Sequence, residues 1–347
     1  MRKELSMLAM AAAMLSAGTA KGSKPDLVKD VFEAPIDQIL SVSDNNIVTY
    51  RPTASHVVEK DGKTTTNYYP TVAISADGTR GFAYMGPKPV GSSLLVNEET
   101  GKFVVGSEGL SGEFAVGQLQ EGTETLSSVN MQTYKLQSNQ FSDQVHKMKN
   151  TVGYMYDENH VILFGEAGVF GNNKEVTRAV KDTSTNGVFV VSQYTKTSAG
   201  MPKMATQTST EVFTSDGTEV SAYNRNNVMD KTVTSVVSNT EIKGMEVMDD
   251  TLLYATTDSV RDRSGSTVLS LDGITGMAKV GSTIYVATAN EEPQVVMTKS
   301  TNSAKAPTSV SKIVPVYGAK QIISGKEKGK DVLWKLTVNN KLERINN

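Results

Sequence analysis

The chain has 347 residues, of which 38% are hydrophobic and 21% are charged. This composition supplies enough apolar surface for a packed core and too little charge for a disordered chain. The 35 Lys and Arg residues nearly balance the 37 Asp and Glu residues, for a formal net charge of -2, so no global positive field favours sequence-specific nucleic acid or an anionic membrane as a partner.

Residues 1–20 have the order of features that is typical of a secretory signal peptide. Two basic residues precede a mostly apolar stretch from Leu5 to Leu15, and small residues follow. We predict cleavage after Ala17 or Ala20. The apolar stretch is shorter than the roughly 20 residues that a transmembrane helix needs, so we expect no stable membrane span. A retained amphipathic or assembly helix is the alternative interpretation of this leader.

Seven segments after the leader share one plan, in which a short apolar strand, a polar turn and a second apolar strand follow one another. Two of them, Gly244 to Thr256 and Gly276 to Thr288, repeat Gly, Met, Thr, Ala and Thr in phase. Asp, Asn and Gly in such turns tolerate positive φ angles, and the flanking Val, Ile, Tyr and Thr favour strands, so we predict β-hairpins. The other segments begin at Ile39, Val72, Val152, Val212 and Ile322.

Repeated hairpins constrain the architecture, because a single hairpin cannot bury its own apolar face and must find a neighbouring sheet. Propeller blades have four strands and repeat about every 40 to 50 residues. Dividing residues 21–347 by this period gives about seven blades, and six or eight blades are also compatible with the spacing. We therefore predict an all-β chain that forms one β-propeller domain over residues 21–347, behind the leader.

Two of these segments resemble known propeller repeats. S-A-D-G-T-R-G-F-A-Y, from Ser75, and G-S-T-I-Y-V-A-T, from Gly281, are similar to the bacterial Ser-Pro-Asp-Gly and Tyr-Val-Thr-Asn classes of repeat. The likeness covers short turn-and-strand segments only. Ala76 stands where the first motif has Pro, and the Asp-Gly turn recurs only at Asp77 and Asp216 among the copies. The resemblance implies the fold and transfers no function, because propellers host binding, scaffolding and catalysis alike.

A polar stretch from Glu121 to Asn150, rich in Ser, Gln and Asn, interrupts the hairpin rhythm. We predict a long loop or an insertion at residues 121–150. Propeller loops vary freely while the blades hold the ring, so we expect this stretch to contact a partner. The candidate interaction residues are Gln137, Asn139, Phe141 and Gln144.

The sequence lacks the commoner catalytic and metal-binding motifs. Cysteine is absent, and His56, His146 and His160 do not have the spacing of metal ligands. Neither the G-x-S-x-G elbow of serine hydrolases nor a Gly-rich phosphate loop occurs. Turn carboxylates such as Asp157 and Asp216 are expected to accept backbone N–H groups of their own turns rather than to bind calcium. We predict no catalytic residue, no cofactor and no metal site.

These observations favour a non-enzymatic propeller that binds or scaffolds a protein or a surface glycan outside the cytoplasm, as a secreted or periplasmic protein. A first alternative is a bacteriophage virion protein, such as a tail hub, a nozzle or a head-associated propeller, in which the leader stays uncleaved. A second alternative is a propeller hydrolase or lyase, which would need acids and His to converge on the central channel.

Overall fold

The computed structural model describes residues 30–42, 46–75, 81–91, 93–119, 129–138, 144–167, 173–228, 236–237, 240–290, 312–327, 330–339 and 341–345. The predicted leader at residues 1–20 lies outside this set. The described residues form one helical turn, at residues 30–32, and 27 strands. None of the helices in these ranges is long and apolar enough to span a membrane.

The strands form six hydrogen-bonded sheets, and the first of them is called unit 1. Unit 1 comprises β1 (Gln38–Val42), β2 (Asn46–Tyr50), β3 (Ser55–Lys60), β4 (Lys63–Ser75) and β5 (Gly81–Gly86). The next sheet has eight strands and divides into two runs of four, units 2 and 3. Unit 2 comprises β6 (Val96–Asn97), β7 (Lys102–Val105), β8 (Glu113–Leu119) and β9 (Val129–Gln137). Unit 3 comprises β10 (Met148–Met155), β11 (His160–Ala167), β12 (Asn173–Lys181) and β13 (Val188–Lys196).

The remaining four sheets follow one another along the chain as units 4 to 7. Unit 4 comprises β14 (Met204–Gln207), β15 (Glu211–Ser215), β16 (Glu219–Asn224) and β17 (Val236–Val237). Unit 5 comprises β18 (Ile242–Met248), β19 (Thr251–Thr256), β20 (Ser259–Asp262) and β21 (Thr267–Ser270). Unit 6 comprises β22 (Ile274–Val280), β23 (Thr283–Thr288) and β24 (Lys312–Tyr317), and unit 7 comprises β25 (Ala319–Glu327), β26 (Lys330–Thr337) and β27 (Leu342–Ile345).

All seven predicted hairpin segments form antiparallel strand pairs, namely β1–β2, β4–β5, β10–β11, β15–β16, β18–β19, β22–β23 and β25–β26. They are not distributed one to each unit. The segments from Ile39 and Val72 both belong to unit 1, whereas no predicted segment falls in unit 2. Unit 2 was missed because its first strand, β6, has only two residues and does not form an apolar run in the sequence.

The two most similar segments occupy equivalent positions in successive units. In unit 5 Ile242 pairs with Thr256, and in unit 6 Ile274 pairs with Thr288, with an irregularity at the same place in both strand pairs. Leu252 of unit 5 and its counterpart in unit 6, Ile284, are both fully buried. The repeat inferred from the sequence is therefore a structural repeat.

The expectation of a long loop at residues 121–150 is wrong for residues 129–137, which form β9, and for residues 148–150, which begin β10. This strand pairs with β8 in antiparallel orientation and with β13 in parallel orientation. Tyr134 and Leu136 are buried, but exposed polar neighbours separate them and conceal the strand in the sequence. Residues 121–128 and 139–143 lie outside the described ranges.

Apolar clusters pack between each unit and the next, and the last of them joins unit 7 back to unit 1. Burial of both faces of each sheet against its neighbours stabilises such a ring, because no sheet can bury an apolar face alone. Around the ring the clusters contain Tyr50 and Phe103, Phe114 and Leu163, Phe164 and Tyr223, Phe213 and Tyr254, Leu253 and Ile284, Ala287 and Leu333, and Leu336 and Ile39.

The first strands of the units surround a central cavity of about 970 Å³. Residues of β1, β6, β14, β18, β22 and β25 line it, and unit 3 contributes Tyr154 of β10. The inner strands of units 5 and 6 pass close together, since a Cβ atom added to Gly244 would lie 2.8 Å from the backbone nitrogen of Met277. The ring therefore encloses a channel built from residues that are far apart in the sequence.

Candidate functional site

Four titratable side chains from four different units meet in the channel. Glu98 follows β6, Tyr154 lies on β10, Glu246 on β18 and Lys279 on β22, and all four line the cavity. None of them was singled out as a site residue from the sequence, because only closure of the ring brings them together.

The carboxyl group of Glu246 is the least solvated charge in this cluster. Glu246 is 4% exposed. Burial raises the pKa of Glu246 well above its usual range, and the Glu98 carboxylate raises this pKa further, whereas Lys279 lowers it. Burial disfavours the charged form of a carboxyl group, because that form loses its hydration.

Glu98 differs from Glu246 because its side chain is exposed to the open channel, although the ring surrounds it. Enclosure by the ring raises the pKa of Glu98, and Lys279 opposes this effect. The Lys279 ammonium donates a hydrogen bond to the backbone carbonyl of Val247, at 3.0 Å. Burial also raises the pKa of the Tyr154 hydroxyl, with a further contribution from Glu98.

A second candidate site, here called the loop surface, lies where units 2 and 3 meet and consists of Leu110, Val145 and Tyr194. These large apolar side chains are 47%, 45% and 45% exposed. Val145 packs on Gly112, two residues after Leu110. The ring of His146, the next residue after Val145, lies 6.2 Å from the Tyr194 ring. The contacts at Gly112 and His146 therefore place the three side chains in one region of the ring.

The predicted interaction residues lie beside the loop surface as far as the structure describes them. Gln137 ends β9 and forms an isolated bridge with Val145. The carbonyl oxygen of Gln144, an exposed residue, accepts a hydrogen bond from the backbone N–H of Ser138 at 2.8 Å. Asn139 and Phe141 lie outside the described residues.

A third exposed apolar group lies on unit 1, where β3 and the first half of β4 project as a two-stranded ribbon. Val57 and Val58 are exposed on this ribbon, and Met85 is exposed on β5 of the same unit. Lys60 faces Lys63 at the tip of the ribbon, and lysines on an edge strand oppose pairing with another chain. The loop surface is therefore the stronger candidate for partner binding.

The three histidines each contact one carboxylate in a different part of the ring. His56 lies 3.1 Å from Asp30, and His146 lies 2.9 Å from Glu175. His160 lies 2.8 Å from Asp157. Within the described ranges, no three His, Asp or Glu side chains are grouped closely enough to hold a metal ion.

Two turn carboxylates, those of Asp157 and Asp216, bind the backbone of their own turns, as the sequence predicts. Asp157 accepts the N–H of Asn159 at 2.8 Å. Asp216 accepts the N–H of Thr218 at 2.8 Å and that of Glu219 at 3.0 Å. These are the contacts of a carboxylate that caps its own turn.

Comparison with known proteins finds similarity at the level of structure alone. No known sequence family matches the chain, and no curated protein matches it. Among solved structures, the WD40 domain of Pan2 from Neurospora crassa is similar, with a TM-score of 0.51 and 7% identity over 90% of this chain and 89% of that one. Sqt1 from Saccharomyces cerevisiae has a TM-score of 0.47 and 10% identity over 90% and 97%. BamB from Moraxella catarrhalis has a TM-score of 0.38 and 10% identity over 88% and 94%.

The likeness to the Pan2 domain concerns the fold. The chain is all-β with many sheets, and the WD40 domain that it resembles is a β-propeller. This agrees with the fold class expected from the hairpin repeats. At 7% identity the likeness carries no information on ligand or partner.

Proposed function

We propose that the chain is a seven-bladed β-propeller that acts as a non-enzymatic scaffold and binds a protein or surface glycan through the loop surface. Units 1 to 7 are the blades. The number seven is supported by the apolar clusters, one between each pair of neighbouring units and one that joins unit 7 to unit 1. We also propose that the protein acts outside the cytoplasm, on the basis of the leader pattern in residues 1–20.

The observation that carries the binding role is the grouping of exposed apolar side chains at the loop surface. Single exposed apolar residues are ordinary, whereas a contiguous group indicates a contact surface. Full burial of a large apolar side chain contributes roughly 1.5–3 kcal/mol, so Leu110, Val145 and Tyr194 together can supply a substantial part of a binding free energy. Tyrosine suits such a surface, because its ring buries a large area and its hydroxyl can stay hydrated.

The position of the loop surface also fits a binding role. It lies at the junction of units 2 and 3, whose strands form one continuous eight-stranded sheet. Tyr194 lies on β13 of this sheet, so its ordering costs little entropy when a partner binds. Residues 138 and 144, which flank the predicted interaction loop, are hydrogen-bonded to each other beside this surface.

Site-specific photo-cross-linking tests the proposal. A photoreactive phenylalanine analogue replaces Tyr194 in one variant and Val338, which is 41% exposed outside the loop surface, in the matched control. Both proteins are illuminated in an extract or assembly from the native source. We expect a discrete covalent adduct from position 194 and none of that mass from position 338. Equal adducts from both positions, or none from position 194, would contradict the proposal.

A further inference from the structure

The turn between β12 and β13 contains Asn186 and Gly187, which form the one Asn-Gly pair in the sequence. Asparagine is a chemically labile residue, because the backbone nitrogen of the next residue can attack the carbon of its side-chain amide. Glycine at that next position has no Cβ atom to hinder the attack. By its local sequence, Asn186 is therefore the least hindered asparagine amide of the chain.

The folded structure leaves both reacting groups accessible. Asn186 is exposed, and neither its side-chain amide nor the backbone N–H of Gly187 forms a hydrogen bond with another described residue. A Cβ atom added to Gly187 would have no neighbour within 4 Å. The turn therefore offers open space beside the Gly187 nitrogen, and no contact within the described ranges holds the Asn186 amide away from it.

Hydrogen bonds hold the residues on both sides of this pair. The backbone N–H of Asp182 donates to the carbonyl of Val188 at 2.9 Å, which closes the turn. The backbone N–H of Lys135, on β9, donates to the Gly187 carbonyl at 2.8 Å. The peptide bond between Asn186 and Gly187 therefore lies at the start of the pairing between β9 and β13.

We propose that Asn186 deamidates spontaneously and that the isoaspartate formed there weakens the pairing of β9 with β13. In the first step the Gly187 nitrogen bonds to the Cγ atom of Asn186, the Cγ–Nδ2 bond breaks, and the amide proton leaves with the released ammonia. Water then opens the resulting succinimide at either of its carbonyl carbons. The products are aspartate and isoaspartate, and the reaction needs no enzyme, oxidant or cofactor.

Isoaspartate changes the geometry of the turn, because its backbone passes through the former side chain and gains a carbon atom. The Gly187 carbonyl then shifts relative to the Lys135 N–H, and a hydrogen bond weakens steeply as its angle departs from linearity. The pairing of β9 with β13 has only three residue pairs, so loss of its first hydrogen bond removes a large part of it. This pairing joins units 2 and 3 into one sheet, and the effect is therefore expected at their junction.

Incubation of the full chain in mildly alkaline buffer, followed by peptide mass spectrometry, tests the reaction. The readout is the mass increase that corresponds to replacement of NH by O at Asn186, and methylation by an isoaspartyl methyltransferase measures the isoaspartate fraction. The internal control is Asn173, an exposed asparagine on β12 that precedes Lys174. We expect conversion of Asn186 to be at least about tenfold faster than that of Asn173. Equal rates, or an Asn186 that remains an amide, would overturn the inference.

Urea denaturation before and after the incubation tests the structural consequence. The control is Asn186→Gln, which keeps an amide but closes the ring much more slowly because its side chain is longer. We expect the denaturation midpoint of the unmodified chain to fall as isoaspartate accumulates and that of Asn186→Gln to stay constant. An unchanged midpoint in the converted protein, or an equal fall in Asn186→Gln, overturns the effect on the strand pairing. Neither measurement involves a binding partner, so the outcome is independent of the proposed function.

Discussion

The side-chain amide of Gln321 acts as a strand partner for the backbone of Ile39. Its Oε1 atom accepts the Ile39 N–H at 2.9 Å, and its Nε2 group donates to the Ile39 carbonyl at 3.1 Å. These bonds join β25 of unit 7 to β1 of unit 1. Gln38 forms the same pair of bonds with Leu94, at 2.7 and 3.1 Å. Glutamine amides of β25 and β1 therefore bind the backbone of the neighbouring unit at one junction of the ring and the segment before β6 at the next.

Replacement of Gln321 should weaken closure of the ring. Gln321→Ala leaves the N–H and carbonyl groups of Ile39 without this partner, so the free energy of unfolding should fall by about 1–3 kcal/mol. Urea denaturation measures the change. The control is Gln118→Ala, an exposed glutamine on β8, and equal stability of the two variants would show that the amide bonds do not stabilise the ring.

Stability should depend on pH through Glu246. The usual pKa of a glutamate is 4.5, and burial raises the pKa of Glu246 in the folded chain well above it. The folded state therefore favours the protonated form. The stability this group contributes is complete below the unfolded-state value and is lost as the pH rises through the folded-state value.

Glu246→Gln lacks this titration, so its melting temperature should exceed that of the unmodified chain at about pH 8 and match it at about pH 4. The difference between the two proteins reports the Glu246 carboxyl group together with its interaction with Glu98. Glu59→Gln serves as the control and should show no such difference. A constant gap between Glu246→Gln and the unmodified chain across the pH range would contradict the interpretation.

The junction between units 2 and 3 depends on a glycine. A Cβ atom at Gly106, which follows β7, would overlap the carbonyl oxygen of Thr151 on β10. Gly106→Ala should therefore lower the free energy of unfolding by more than about 2 kcal/mol, because a backbone group must move. Gly109→Ala is the matched control, since only the Ser107 hydroxyl lies within reach, at 3.9 Å. Similar denaturation midpoints for both variants would disprove the close contact.

The proposed location can be tested at the N-terminus of the mature protein. Export with cleavage predicts an N-terminal peptide that begins at Gly18 or Lys21. Mass spectrometry of the protein from its native source measures this directly. A peptide that begins at Met1 would contradict export with cleavage and favour the assembly alternative.

The hairpins could be predicted from the sequence because their determinants are local. In the Asp249-Asp250 turn, for example, both residues have positive φ angles, of 47° and 55°, which Asp tolerates better than most side chains. By contrast, β9 escaped detection because its second face is polar, and only pairing with β8 and β13 identifies it as a strand.

The channel cluster could not be found by motif, because Glu98 and Glu246 are far apart in the sequence and meet only across the ring. One signal was nevertheless present. Glu246 stands in the apolar run G-M-E-V-M, and Lys279 stands in the equivalent run G-M-A-K-V of the next repeat. A charge inside an apolar strand indicates a buried ionisable group, and such groups are candidates for functional sites.

Affinity for the cross-linked partner is the most direct measure of the central claim, that the loop surface of a propeller scaffold binds another molecule. The test variant combines Leu110→Ser, Val145→Ser and Tyr194→Ser, and the control is Val338→Ser. We expect the dissociation constant of the test variant to rise at least about tenfold, with melting temperatures of both variants close to that of the unmodified chain. An unchanged dissociation constant in the folded test variant, or an equal loss of affinity in Val338→Ser, would contradict the claim.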